Sequence, residues 1–316
     1  MDLKPALEDI LYSNQDYFLI TRGINALYEQ YSEATGIFAG DLTHEYMKET
    51  ENGKIVTPMQ AAHCLKDMAR STHFLRAIHQ AINHHLQNKQ SVRILYAGCG
   101  PYGTLLTPFT SIFSSKQIRF TFLEIEEVSF NAVQKLYTDW NIENYLESVL
   151  LCDATDPDLK LSGSFDIIIS ETMQVGLKNE CQVPITRNLV RFLSEDGTFI
   201  PERIKLEVYL TGKQKDLLDP NSDDKLLVGT AYDFDSRNLP IPGNETILTI
   251  PESQLEYLKL YTEIHLFGEE KLTAHQSGLT LPLILDRPIG KAGRAARFHY
   301  VEGALPKLEF EYLPVS

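Results

Sequence analysis

The sequence predicts an α/β protein: a doubly wound parallel sheet, preceded by an N-terminal helical segment and followed by a C-terminal antiparallel β-barrel-like region. Three observations carry this. Between residue 91 and about residue 200, short apolar β-rich runs alternate with helical stretches, the pattern of a Rossmann-like sheet with right-handed crossovers. Ahead of that region the apolar positions recur with helical periodicity. Beyond Pro201 the runs alternate or are β-rich, with Pro and Gly between them. The expected organisation is a helical extension over 1–60, the Rossmann-like unit over 61–200 and the β-barrel-like unit over 201–316.

The elements follow in order. Up to about residue 88 the chain reads as helical, most clearly in AAHCLKDMARSTHFLRAIHQAINHHL. SVRILYAG, QIRFTFLEI, ESVLLCDA and FDIIIS are the apolar runs of the parallel sheet, each bounded by turn or charged residues. IKLEVYLTG, ETILTI, YLKLYTEIHLFG, LTLPLIL, RFHYVEG and KLEFEYL are the antiparallel candidates, forming a small barrel or sandwich.

Composition narrows the function classes. Hydrophobic residues make up 43% and charged residues 23%, ordinary for a globular protein. No apolar run approaches the ~18 residues needed to cross a bilayer. The start, MDLKPALEDILYSNQ, has no basic n-region or apolar centre, so the expected location is the cytoplasm and no membrane partner is expected. A formal net charge of −14 argues against nucleic acid, whose recognition needs a basic footprint. The four cysteines, Cys64, Cys99, Cys152 and Cys181, are widely spaced and form no CxxC pair, so neither a metal site nor a disulfide framework is expected.

The chemistry-bearing motif begins in ILYAGCGPYG. Gly98, Gly100 and Gly103 stand in GxGxxG spacing at the end of a strand, where glycines permit tight turning and close approach of a ligand. The next strand ends in Glu124, suited to both hydroxyls of a ribose, with Glu126 and Glu127 as rival acids. The strand after it delivers Asp153, suited to an adenine amino group. Ligands of such sheets sit beyond the carboxyl ends of the strands, so these residues face one crevice. The pattern fits S-adenosylmethionine (SAM). NAD also uses an acid about 20 residues after the glycines, but it needs a second mononucleotide-binding half, and the parallel pattern stops after Phe199.

Strand four runs into SETMQVGLKNE, residues 170–180. This resembles the double-E hairpin of the protein arginine methyltransferase family, roughly SExMGxxLxxE, with Gln174 standing where the family has Gly. RNLVRFLSEDGTFIPERIKLEVYL resembles the family's following helix, its D-G turn and the proline before its barrel. CLKDMARSTHFLRAI resembles its MLKDxxRTxxY helix. The resemblance spans residues 61 to about 210 well and the C-terminal third loosely. It implies that Arg70 pairs with the methionine carboxylate of SAM, that Gly98 and Gly100 line its ribose and methionyl portion, and that Glu124 holds the ribose hydroxyls. It also implies that Glu171 and Glu180 bind and orient the substrate. A guanidinium is a planar fork of five donors that a carboxylate matches bidentately, so two convergent carboxylates suit it.

The chain departs from that pattern in three places. Ala61 and Cys64 occupy the places of a His and a Met, and the Tyr-rich helix before them is not found. The THW loop is replaced by Gln276, Ser277 and Gly278, with His275 one residue early and available to meet Asp67. Between IKLEVYL and YLKLYTEI there is too little chain for the family's helical dimerisation arm. The expected activity is therefore SAM-dependent N-methylation of a guanidino group, on free arginine or a related small compound before peptidyl arginine, and any oligomer is expected to form without that arm. Methylation of another nucleophile, or a catalytically silent SAM-binding partner, are the alternatives.

Overall fold

The computed structural model describes residues 2–14, 16–40, 48–212 and 225–314. Helix α1 (Lys4–Tyr12) starts with proline in its first turn. Helix α2 (Tyr17–Thr35) is capped by Asp16, whose side chain accepts from the Phe18 and Leu19 amides. A two-stranded hairpin follows, β1 (Lys48–Thr50) with β2 (Gly53–Ile55). Helix α3 (Pro58–Cys64) opens on a capping box between Thr57 and Gln60. Helix α4 (Met68–Leu86) is capped by Asp67, which accepts from the Arg70 amide at 3.1 Å. The N-terminal segment expected to be helical thus also holds a hairpin.

The central sheet is built from β3 (Val92–Ala97), β4 (Ile118–Glu124), β5 (Leu146–Leu151), β6 (Phe165–Ser170) and β7 (Leu193–Ile200). Its order is β5-β4-β3-β6-β7, and every pairing is parallel. The chain steps outward from β3 to β5, then returns to lay β6 on the other flank of β3. That reversal opens a crevice at the carboxyl ends of β3 and β6. Helices α5 (Glu127–Asp139) and α6 (Gln182–Leu189) belong to the crossovers. Strands β3 and β6 are buried along nearly their whole length, as apolar strands covered on both faces must be. Phe120, Phe122 and Tyr137 are fully buried and pack ring to ring. Each contributes about 1.5–3 kcal/mol by leaving water.

The C-terminal region holds β8 (Arg203–Thr211), β9 (Lys225–Asp235), β10 (Glu245–Thr249), β11 (Tyr257–Phe267), β12 (Glu270–Leu272), β13 (Leu283–Asp286), β14 (Ala295–Val301) and β15 (Lys307–Tyr312). One sheet runs β12-β11-β8-β9, with β13 also on β11, and a second runs β10-β14-β15. All their pairings are antiparallel. Tyr232 on β9 stacks on Tyr300 on β14, with ring centroids 4.9 Å apart, joining the sheets through a shared core. Of LTLPLIL, only the second half is a strand; Gly278–Thr280 is a 3-10 turn. Among the described residues no helix lies between β8 and β11, and residues 213–224 of that stretch fall outside the description. No helix of the described residues is long and apolar enough to cross a membrane.

Candidate functional site

A cavity opens at the carboxyl ends of the central strands. Gly98, Gly100, Glu124, Asp153, Arg70, Glu171 and Glu180 all line it. It holds about 1130 Å³ of atom-free space, mouth included.

The turn after β3 places backbone, not side chains, against this space. Gly98 has φ +68°, and a Cβ there would stand 2.6 Å from Cγ2 of Thr172. Only glycine fills such a position without strain. The Glu124 carboxylate closes the turn: Oε2 accepts from the Gly100 amide at 2.8 Å, and Oε1 accepts from the Ile125 and Glu126 amides at 2.9 and 3.0 Å. Burial pushes the Glu124 carboxyl up, and those amide hydrogen bonds pull it back down. Its rival Glu126 is committed elsewhere, capping α5 by accepting from the Ser129 amide at 2.9 Å.

Asp153 follows β5. Its Oδ1 accepts from the amide and hydroxyl of Thr155 at 2.8 and 2.7 Å, a local turn that sets the carboxylate at the cavity edge. Asn52, at the tip of the β1–β2 hairpin, donates to Thr155 Oγ1 at 2.8 Å. The hairpin is thereby hooked onto the site.

The acid pair sits on a loop held from both sides. Glu171 follows β6 and Glu180 precedes α6, and the chain between them passes through left-handed backbone at Gly176, Leu177 and Asn179. The barrel fixes this loop: the Gly176 amide donates to Thr262 Oγ1, the Tyr300 hydroxyl donates to the Leu177 carbonyl, and the Asn179 amide donates to the Pro306 carbonyl, at 3.0, 2.8 and 2.7 Å. On the opposite side the Lys54 amide donates to the Asn179 carbonyl at 2.6 Å, so β2 runs beside the Glu180 backbone. Gln182, fully buried, accepts from the Thr172 amide at 3.0 Å and ties the two ends of the loop together.

Glu171 pairs with the Arg70 guanidinium, and both side chains are largely shielded from solvent. The other carboxylate oxygen of Glu171, Oε1, is buried with no hydrogen-bond partner. Such a group is costly unless something completes it. Burial pushes the Glu180 carboxyl up; the nearby Arg70 charge and a hydrogen bond from Gln174 pull it down. The arrangement presents two largely shielded acids, one with an open acceptor oxygen, in the cavity that the glycine turn and Glu124 also line. Carboxylate acceptors of this kind suit a cation bearing several N–H groups.

His275 stands apart from this lining. It does not line the cavity; its backbone is left-handed, with φ +67°, and its ring stands edge-on to Tyr261 at 6.4 Å between centroids. Asp67 instead accepts from Ser277 Oγ at 2.6 Å and from the Gly278 amide at 2.9 Å. The loop reaches α4 through a hydroxyl and a backbone amide.

The sequence reading missed the hairpin's contribution: Thr50, Lys54, Ile55 and Val56 all line the cavity. The signal was present in the Asn52-Gly53 dipeptide, a common hairpin turn. It also missed that all four cysteines reach this one cavity, as does the buried Tyr96. Burial pushes Cys152 and Cys181 up to about 11, so both are neutral thiols. Among the described residues there is no group of three or more His, Cys, Asp or Glu placed to hold a metal ion.

No protein-family model and no curated protein matches this sequence. Solved structures do. The PRMT1 enzyme–prozyme heterotetrameric complex of Trypanosoma brucei with AdoHcy aligns at a TM-score of 0.54 and 16% identity, over 81% of this chain and 94% of that one. An open conformation of protein arginine methyltransferase 10 from Arabidopsis thaliana aligns at a TM-score of 0.53 and 11% identity, over 81% of this chain and 98% of that one. At these identities the likeness is one of fold: helices, a parallel sheet, then antiparallel sheets.

Proposed function

We propose that the chain is a SAM-dependent N-methyltransferase acting on a guanidino group, with a small compound such as free arginine favoured over peptidyl arginine. The observation that carries this reading is the convergence of Glu171 and Glu180 on the cavity that the glycine turn, Glu124 and Asp153 also line. The fold shared with two arginine methyltransferases, one of them solved with AdoHcy, supports it.

The residues present fit the cofactor. Gly98 keeps the turn free of a side chain that would strike Thr172, and Glu124 is a fixed carboxylate able to accept from a vicinal diol. Asp153 would accept from the adenine amino group, and Arg70 would pair with the methionine carboxylate. When bound, SAM supplies a methyl group already activated on a sulfonium. The chain's own task is then positioning. Glu171 and Glu180 accept from the guanidinium N–H groups, hold its plane, and keep its charge in a water-poor space where such bonds are strong. Glu171 Oε1, buried and unpartnered, would gain its donor from this substrate. Four free thiols accord with a reducing, cytoplasmic setting.

The test is methyl transfer from labelled SAM to free arginine and to an Arg-Gly-rich peptide. Label on arginine alone supports the small-molecule form of the reading, and label on the peptide alone supports a protein substrate. No label on any guanidino compound, with S-adenosylhomocysteine binding intact, assigns the chain to another nucleophile or to a silent SAM-binding partner.

A further inference from the structure

We infer that Gln174 is a positioning residue: its side-chain amide holds the Glu180 carboxylate in the cavity, and Asn179 orients that amide. The inference rests on the reading that Glu171 and Glu180 grip a guanidinium.

The geometry is a relay of three side chains within one loop. Asn179 Nδ2 donates to Gln174 Oε1 at 3.0 Å. With its oxygen engaged, the amide has its NH₂ left to donate, and its hydrogen-bond partner Glu180 carries a carboxylate that can only accept. Asn179 is itself immobilised, since its amide donates to the Pro306 carbonyl and its carbonyl accepts from the Lys54 amide. The barrel and the hairpin therefore act on Glu180 through Asn179 and Gln174. The Leu177 amide donates to the Gln174 carbonyl at 3.0 Å, so the backbone at Gln174 is held as well. A residue without a side chain at 174 would supply neither side-chain bond.

The groups facing Glu180 divide by role. Arg70 reaches it from α4 but is paired with Glu171. Cys181, its chain neighbour, is a neutral thiol. Lys54, across the β-bridge, turns its ammonium to Glu49 at 3.2 Å. The Tyr300 hydroxyl is spent on the Leu177 carbonyl. Gln174 is the neutral donor to Glu180, and its bond favours the charged carboxylate over the acid. One oxygen held by Gln174 leaves the other aimed at the substrate, and errors of about 1 Å in such aim cost on the order of 100-fold in rate.

The test compares Gln174→Leu and Asn179→Gly with the wild type. Asn179 has φ +66°, so glycine keeps the backbone and removes only the side chain. We expect Gln174→Leu to lower kcat/KM for free arginine by about 10- to 100-fold. Its acid limb should move to higher pH, so that part of the loss is recovered in alkaline buffer. Affinity for S-adenosylhomocysteine should stay within about twofold, since Gln174 does not line the cofactor side. Asn179→Gly should shift in the same direction by less. An unchanged acid limb in both variants, or a loss equal at every pH with weakened S-adenosylhomocysteine binding, overturns the inference. If Gln174→Leu does not fold, Asn179→Gly alone decides by the same criterion. A wild type that methylates no guanidino compound overturns the functional reading instead. The carbon-13 titration of Glu180, assigned by its absence in Glu180→Gln, then judges the bond: an unmoved titration in Gln174→Leu overturns the inference, and a raised one supports it.

Discussion

The Arg70 guanidinium is paired with the Glu171 carboxylate inside the cavity, and the same guanidinium draws the Glu180 carboxyl down from the value burial would impose. One cation thus serves both acids. Arg70 comes from the first turn of α4, where Asp67 caps the helix and also accepts from Ser277 and Gly278 of the barrel loop. The side chain is set by two parts of the fold at once.

Removing Arg70 should therefore cost stability as well as binding. Arg70→Met leaves Glu171 buried without its counter-charge, a change that typically costs about 3–5 kcal/mol. Denaturant unfolding should show a clear drop for Arg70→Met and a smaller one for Glu171→Gln, which removes the charge that needed pairing. Calorimetry should also find weaker S-adenosylhomocysteine binding in Arg70→Met. Wild-type stability in Arg70→Met would refute the shared-cation view.

Glu171→Gln and Glu180→Gln should each reduce methyl transfer to a guanidino substrate by on the order of two to three decades. The amide offers donors where the guanidinium already donates. The double variant should be little worse than either single one, because both acids act on one bound group. Full turnover in both single variants would end the assignment of the pair.

The pH dependence of stability follows from burial. Glu180 has its folded carboxyl raised above the ordinary 4.5, so its contribution is fully present below that value and is lost as pH rises through the raised one. Glu180→Gln does not titrate. Thermal melts should show the variant gaining on the wild type as pH rises above 4.5, with the gap closing again on acidification. A difference that does not vary with pH would contradict the burial of that charge.

Gly98→Ala should destabilise the chain by about 1–3 kcal/mol, since it combines left-handed backbone with a close contact on Thr172 Cγ2. Adding Thr172→Ser removes the contacted methyl and should restore part of the loss, leaving the backbone strain. Equal stability of Gly98→Ala with and without Thr172→Ser would show that the contact carries no weight.

Strands β3, β4 and β6 were legible because each is a short apolar run covered on both faces, and the half-exposed edge strand β5 because it is still a short apolar run; β3 to β6 lie where SVRILYAG, QIRFTFLEI, ESVLLCDA and FDIIIS stand. What escaped is equally physical. Strand β9 begins with the exposed Leu226 and Leu227 and contains Gly229, so its periodicity is blurred. The hairpin of β1 and β2 is three residues a side, too short for periodicity to register, and its turn dipeptide was the available cue. His275 attracted attention as an ionisable residue near the expected loop. The contact to Asp67 is made instead by Ser277 and Gly278, through a hydroxyl and a main-chain N–H that no residue type advertises.

The four cysteines, scattered from residue 64 to residue 181, share the ligand cavity. Occupancy of the cavity and reactivity of its sulfurs are consequently one measurement. A bound nucleoside shields the thiols, and an alkylating or oxidising agent that reaches them takes up the room a nucleoside needs. Mass-spectrometric counting of labelled cysteines against time thus gives a direct meter of how full the site is, without any knowledge of the substrate.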